Sequence, residues 1–135
     1  MQWDDSANLG FSSGNASVLY LPVDNSADAP NVAAQEKDPA SLLNTVRAIL
    51  SLRHQEEDLQ ADAEFKVLCS EPDCPFIYRR GSLLCAVNPA GRAMEVSLPT
   101  GITGMIRGDV LFEIGSSSLE NGKLTIGAQS FVVMK

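Results

Sequence analysis

Ser82-Leu83-Leu84-Cys85-Ala86-Val87 is a nearly continuous apolar run, closed by Asn88-Pro89, and its reading decides the fold. A short apolar run between turn residues reads as a central strand. The same texture continues outward on both sides. Upstream, Glu64-Phe65-Lys66-Val67-Leu68-Cys69 alternates, and Phe76-Ile77-Tyr78-Arg79 follows a proline turn. Downstream, Arg92 to Leu98 alternates, and Val110 to Ile114, Leu124 to Ile126 and Ser130 to Met134 complete the set. Glycines or Asn-Pro, Pro-Thr-Gly and Asn-Gly pairs separate these runs. Short strands at roughly ten-residue spacing predict an antiparallel sandwich or barrel. Asn121-Gly122 is the best hairpin signal, because both residues tolerate positive φ. Phe65, Phe76, Tyr78, Phe112 and Phe131 fall within the strand pattern, and most of them are expected in the core.

The texture differs before residue 62. Asp38-Pro39 has the grammar of a helix start, with Asp38 as cap and Pro39 at the first helical position. Leu42, Val46, Ile49, Leu50 and Arg53 then follow helical spacing, so one helix is predicted over 39–55. Glu56, Glu57 and Asp58 disfavour its continuation, since the dipole at a helix C-terminus is negative. Residues 1 to about 37 are rich in Asn, Ser, Asp, Ala and Gly and read as an extended loop. That is long for a loop in a compact domain. Its one apolar patch, Val18 to Val23, is expected to be an extended segment packed on a neighbour.

With 135 residues, 44% hydrophobic and 20% charged, the chain belongs to the ordinary globular class. A formal net charge of −7 argues against a nucleic-acid partner and against an anionic membrane surface. No apolar run approaches the ~20 residues of a membrane span. The three cysteines, Cys69, Cys74 and Cys85, are an odd number, which argues against a disulfide framework. Cys69 and Cys74 flank a turn-like Glu71-Pro72-Asp73. A bridge there is conceivable, but reduced thiols are expected in a cytoplasmic bacterial protein. Cys85 reads as a small core residue. No zinc site is expected, because the one histidine, His54, stands far off on the helix.

The chain opens Met1-Gln2-Trp3-Asp4-Asp5-Ser6-Ala7-Asn8-Leu9-Gly10-Phe11. Its only tryptophan lies three residues in, although an indole normally belongs inside a completed structure. This stretch resembles T-P-M-Q-W-D-x-S-x-N-A-G-F-S, found late in the catalytic barrel of alpha-glucosidases in the alpha-amylase superfamily, glycoside hydrolase family 13. Asn31-Val32-Ala33-Ala34-Gln35 resembles the N-V-x-x-Q that precedes the last barrel helix. Asp38 to Arg53 resembles that helix, D-P-x-S-[IL]-L…L-R. Phe76 to Arg80, Leu83 to Asn88 and Phe131 to Lys135 resemble, more loosely, strands of the small C-terminal β-domain. Leu9 stands where alanine is usual, and Glu57 to Ala63 lacks the Pro and Gly of H-P-A-L-x-x-G.

The resemblance implies a mainly β fold: an antiparallel β-sandwich preceded by an irregular segment and one α-helix left from a (β/α)8 barrel. Residues 1–57 would end the barrel and 58–135 would form the C-terminal sandwich. It further implies a retaining hydrolase of α-glucosidic bonds, with two carboxyl groups about 5 Å apart. Those carboxylates are expected upstream of Met1, so no catalytic residue is assigned to this chain. Gln2 and Trp3 are the weak candidates for substrate contact, with structural packing the competing role. No cofactor and no metal are expected. The expected partners are the barrel of the same polypeptide and an α-glucan oligosaccharide, with self-association through the 39–55 helix face as a further option. Asp4 and Asp5 are adjacent and rarely point the same way, so they read as loop hydrogen-bonding groups and not as an acid–base pair. Asn15-Ala16-Ser17 matches a glycosylation sequon, without meaning in a bacterial cytoplasm. The alternative to the hydrolase reading is a free-standing carbohydrate-binding or protein-interaction module.

Overall fold

Leu83–Asn88 forms β3, the middle strand of a five-stranded antiparallel sheet in the computed structural model, which describes residues 1–135. The sheet runs β1 (Phe65–Cys69), β2 (Phe76–Arg80), β3, β8 (Ser130–Met134), β5 (Val110–Ile114). A second sheet runs β4 (Met94–Ser97), β7 (Lys123–Ile126), β6 (Ser117–Glu120). The two face each other across a core of Ile77, Leu84, Ala86, Val132 and Met134 on one side and Leu124 and Ile126 on the other. Leu98, Ile102 and Ile106, on and around the short helix α3 (Thr100–Thr103), close one end. The architecture is the expected sandwich.

Strand β6 escaped the sequence reading because Ser117-Ser118-Leu119-Glu120 has one apolar residue. Its register with β7 comes from the predicted Asn121-Gly122 turn, where both residues have positive φ (50° and 78°). The family-like asparagine at the end of β3 has a definite task. Asn88 is fully buried, and its amide donates to the carbonyls of Arg92 (2.8 Å) and Gly127 (2.6 Å) while its oxygen accepts from the Ala90 N–H (3.1 Å). A buried amide satisfied on all sides ties the β3–β4 connection to the end of β7.

The other face of the five-stranded sheet carries Leu83, Cys85 and Val133, which pack with Leu52, Leu59, Tyr78, Phe112 and Phe131. Here the aromatic expectation needs correction. Phe65 is 53% exposed and Phe76 39% exposed, and both stack on half-buried Tyr78 with ring centroids 5.3 and 5.2 Å apart. They lie at the open edge of the sheet face, where β1 has no outer neighbour to cover them.

The chain divides into two compact units, Met1–Leu50 and Ser51–Lys135. The first contains α1 (Val32–Lys37) and most of α2 (Leu42–Gln55). Helix α2 starts three residues later than predicted. Asp38 is spent on a turn, its carboxylate accepting from the Ala40 N–H (2.9 Å), and Ser41 is the cap instead. The Ser41 carbonyl takes the first helical bond from Thr45 (2.9 Å), and its hydroxyl accepts from the Asn44 N–H (3.3 Å). The Val18–Val23 patch is also a correction: Val18, Tyr20 and Leu21 are exposed. A further correction concerns the thiols. Cys69 and Cys74 are joined in a disulfide, because the turn between β1 and β2 returns the chain to a Cα separation of 6.6 Å, inside the range a bridge requires. Cys85 is free and buried, as expected. No helix of the chain is long and apolar enough to cross a membrane.

Candidate functional site

Gln2 and Trp3 sit against the N-terminus of α1. The first N–H groups of a helix lack intrahelical partners, and here the Gln2 carbonyl accepts from Val32 (3.1 Å) and the Trp3 carbonyl from Ala33 (2.9 Å). Asn31 supplies the cap, its side-chain oxygen accepting from the Ala34 N–H (2.8 Å). The Gln2 amide bridges two further points, donating to the Pro30 carbonyl (3.3 Å) and accepting from the Asp24 N–H (3.2 Å). Its polar atoms are therefore occupied by the chain itself. The Trp3 backbone N–H donates to the Leu9 carbonyl (2.8 Å), and the residue is 49% exposed.

Asp4 is committed to the same loop. Its carboxylate accepts from the N–H and hydroxyl of Ser6, and these bonds hold its pKa below the ordinary carboxylate value. A carboxyl group shifted that way is a poor proton donor at neutral pH. Asn8 and Leu9 follow in left-handed conformation (φ 52° and 56°), and the Asn8 amide donates to the carbonyls of Ser12 and Gly14. Met1, Gln2, Phe11 and Tyr20 to Val23 line a mostly apolar cavity of about 290 Å³. Tyr20, at its rim, is 98% exposed. His, Cys, Asp and Glu side chains form no cluster of three that could hold a metal ion. His54 lies exposed in the last turn of α2.

A polar knot joins α1 to α2. The Gln35 side-chain oxygen accepts from the Leu43 N–H (3.1 Å), and the Gln35 carbonyl accepts from the Ser41 hydroxyl (2.7 Å) and the Asn44 amide (2.9 Å). Gln2, Asn8, Asn31, Gln35 and Ser41, all within the family-like stretches, thus each have a hydrogen-bonding role.

Residues 1–62 match the family model of the alpha amylase catalytic domain. The chain is 34% identical over 79 residues to an oligo-1,6-glucosidase of Parageobacillus thermoglucosidasius, covering 58% of this chain and 13% of that protein. Over 59 residues it is 41% identical to the trehalose synthase/amylase TreS of Mycobacterium tuberculosis, covering 41% of this chain and 10% of the relative. The trehalulose synthase MutB from Pseudomonas mesoacidophila MX-45 superposes on 99% of this chain with a TM-score of 0.82 at 26% identity. The chain is thus similar, along its length, to enzymes of the alpha-amylase superfamily. It spans 24% of the MutB chain.

The departure after the helix becomes intelligible in the structure. Where the resembled pattern runs H-P-A-L-x-x-G, this chain has a 3-10 turn, Glu57–Leu59, and a different anchor. Asp58 accepts from the N–H (2.8 Å) and hydroxyl of Ser82, which lowers the Asp58 pKa. Arg80 donates to the Gln60 carbonyl, and Lys135 pairs with Glu56 at 3.6 Å. Gly81, at φ +51°, leaves room for the Asp58 carboxylate, which a Cβ there would meet at 1.9 Å. Sequence reasoning missed this anchor. Gly81-Ser82, directly before the central strand, was the available signal for a tight turn, but nothing local names Asp58 as its partner.

Proposed function

We propose that this chain is the C-terminal part of a retaining α-glucosidase-type hydrolase acting on malto- or isomalto-oligosaccharides. Residues 1–57 end its catalytic barrel, and 58–135 form a β-sandwich that stabilises it. The catalytic carboxylates come from elsewhere in the polypeptide, and the chain alone is inactive. The observation that carries the reading is the continuity of a catalytic-domain match over 1–62 with a sandwich that has its own core. The apolar groups left open agree with it. Leu42, Val46 and Leu50 of α2 are exposed. On the sandwich, Leu52 packs on one sheet face while Phe65, Val67, Phe76 and Ile114 around it stay open. The remaining barrel helices are the partner we assign to both surfaces, and the cytoplasm the compartment. Gln2 and Trp3 then serve packing at the barrel end. The purified chain is expected to show no turnover of a nitrophenyl α-glucoside, while the polypeptide extended upstream cleaves it. Measurable turnover by the chain alone overturns the reading.

The stacked row Phe65–Tyr78–Phe76 favours a second reading, a carbohydrate-binding surface, since exposed aromatic faces suit sugars. Calorimetric heats with maltose or isomaltose that vanish in Phe65→Ala support it. If self-association through α2 is what covers Leu42, Val46 and Leu50, light scattering gives a dimer that Val46→Glu dissociates.

A further inference from the structure

Cys69 ends β1 and Cys74 stands two residues before β2, with Ser70-Glu71-Pro72-Asp73 between them. Strand β1 is the outermost strand of its sheet and pairs only with β2. Its pairing slips at its end: Val67 faces Tyr78, but Cys69 faces Ile77. The turn itself has little to hold it. The Cys74 N–H donates to the Glu71 carbonyl (3.1 Å), Asp73 sits at φ 63°, and an exposed Asp73–Arg92 pair spans 2.9 Å. The disulfide is the strong tie across this turn. Both of its cysteines are partly exposed, within reach of small thiols, whereas Cys85 is buried in the sheet.

We propose that Cys69 and Cys74 form a reversible thiol–disulfide clasp that fixes edge strand β1 when oxidised and releases it when reduced. To close it, one cysteine thiolate attacks a small-molecule disulfide of the glutathione type, forming a mixed disulfide and expelling one small thiolate. The second cysteine thiolate attacks the protein sulfur of that mixed disulfide, forms the Cys69–Cys74 bond and expels the other small thiolate. Two electrons pass from the cysteine sulfurs to the small disulfide, and the two cysteine protons go to solvent or to the released thiolates. A dithiol reductant reverses the sequence. The strand under control carries Phe65 and Val67 of the open sheet face, so the clasp sets the order of that face.

Amide exchange of the whole chain, read by mass spectrometry, tests the proposal. After glutathione disulfide treatment, alkylation in denaturant should mark one cysteine; after dithiothreitol, three. Exchange at Lys66 to Leu68 should be at least tenfold faster in the reduced form, with β3 and β8 unchanged, and should slow again on reoxidation. The Cys69→Ser/Cys74→Ser double variant should exchange at the reduced rate whatever the reductant. Three alkylated cysteines after oxidation overturn the proposal, as do equal β1 exchange rates in the two redox forms or a double variant that keeps the slow rate.

Discussion

Residues 1–50 bury one side chain, Ser41, whereas residues 51–135 bury an apolar core that runs from Ile77 to Met134. The first unit is shaped by side chains bonded to backbone: Gln2 to Asp24 and Pro30, Asn8 to Ser12 and Gly14, Asn31 to Ala34, Gln35 to Leu43, Ser41 to Gln35. Such roles are specific to residue type, because donors and acceptors must match at fixed positions. Core positions in the second unit ask mainly for apolar volume and tolerate exchange. That difference explains why the family-like motifs are sharp over 1–11 and 31–54 and loose in the sandwich.

The comparison breaks most decisively at Leu84, which is fully buried between the sheets. Leu84→Ala should cost about 2–5 kcal/mol. Urea unfolding followed by circular dichroism should shift to lower denaturant. Fluorescence of Trp3, the one tryptophan, should not move with it. Coincident shifts would mean that the first unit borrows its stability from the core of the second. Next in size is Gly81→Ala. A Cβ there meets the Asp58 carboxylate, and φ is left-handed, so the Asp58–Ser82 bonds must give way. About 2 kcal/mol is expected, and an added Asp58→Ala should cost little more, since its partner is already lost.

How much of this was legible depended on how local each cause is. The core strand Leu83 to Asn88, the Asn121-Gly122 hairpin and the body of α2 all follow from neighbours in sequence, and all were read. The start of α2 was misplaced because Asp38-Pro39 is an equally good local start, and the choice of Ser41 is made by Gln35, six residues back, whose carbonyl accepts the Ser41 hydroxyl. Asp58 reaches Ser82 across 24 residues, and no periodicity carries such a contact. Gln2 and Trp3 stand out in the sequence as weak candidates for substrate contact, but what occupies the Gln2 amide, Asp24 and Pro30, also lies far along the chain.

A smaller effect sharpens the comparison from the first unit. Ser41→Ala removes the α2 cap and should cost about 1 kcal/mol. Because no apolar core rests on that helix start, amide exchange should speed up at Leu43 and Asn44 and leave β3 untouched. Spread of the effect into the sandwich would contradict the division of labour.

The smallest effect, absent at neutral pH, uses the two tyrosines, one in each unit. Burial raises the Tyr78 pKa to about 12, with Cys85 beside it adding to the shift. A phenol whose folded-state pKa lies above its unfolded value of about 10 keeps its proton longer in the folded chain. Its contribution to stability is therefore whole below pH 10 and is lost as pH rises from about 10 to about 12. Absorbance of tyrosinate should show a late-titrating component that disappears in Tyr78→Phe and persists in Tyr20→Phe. Unfolding midpoints should fall across the same window in the native chain and fall less in Tyr78→Phe. If Tyr20→Phe, and not Tyr78→Phe, removes the late component, the exposed first unit is the one that shelters its tyrosine, and the contrast between the units is reversed.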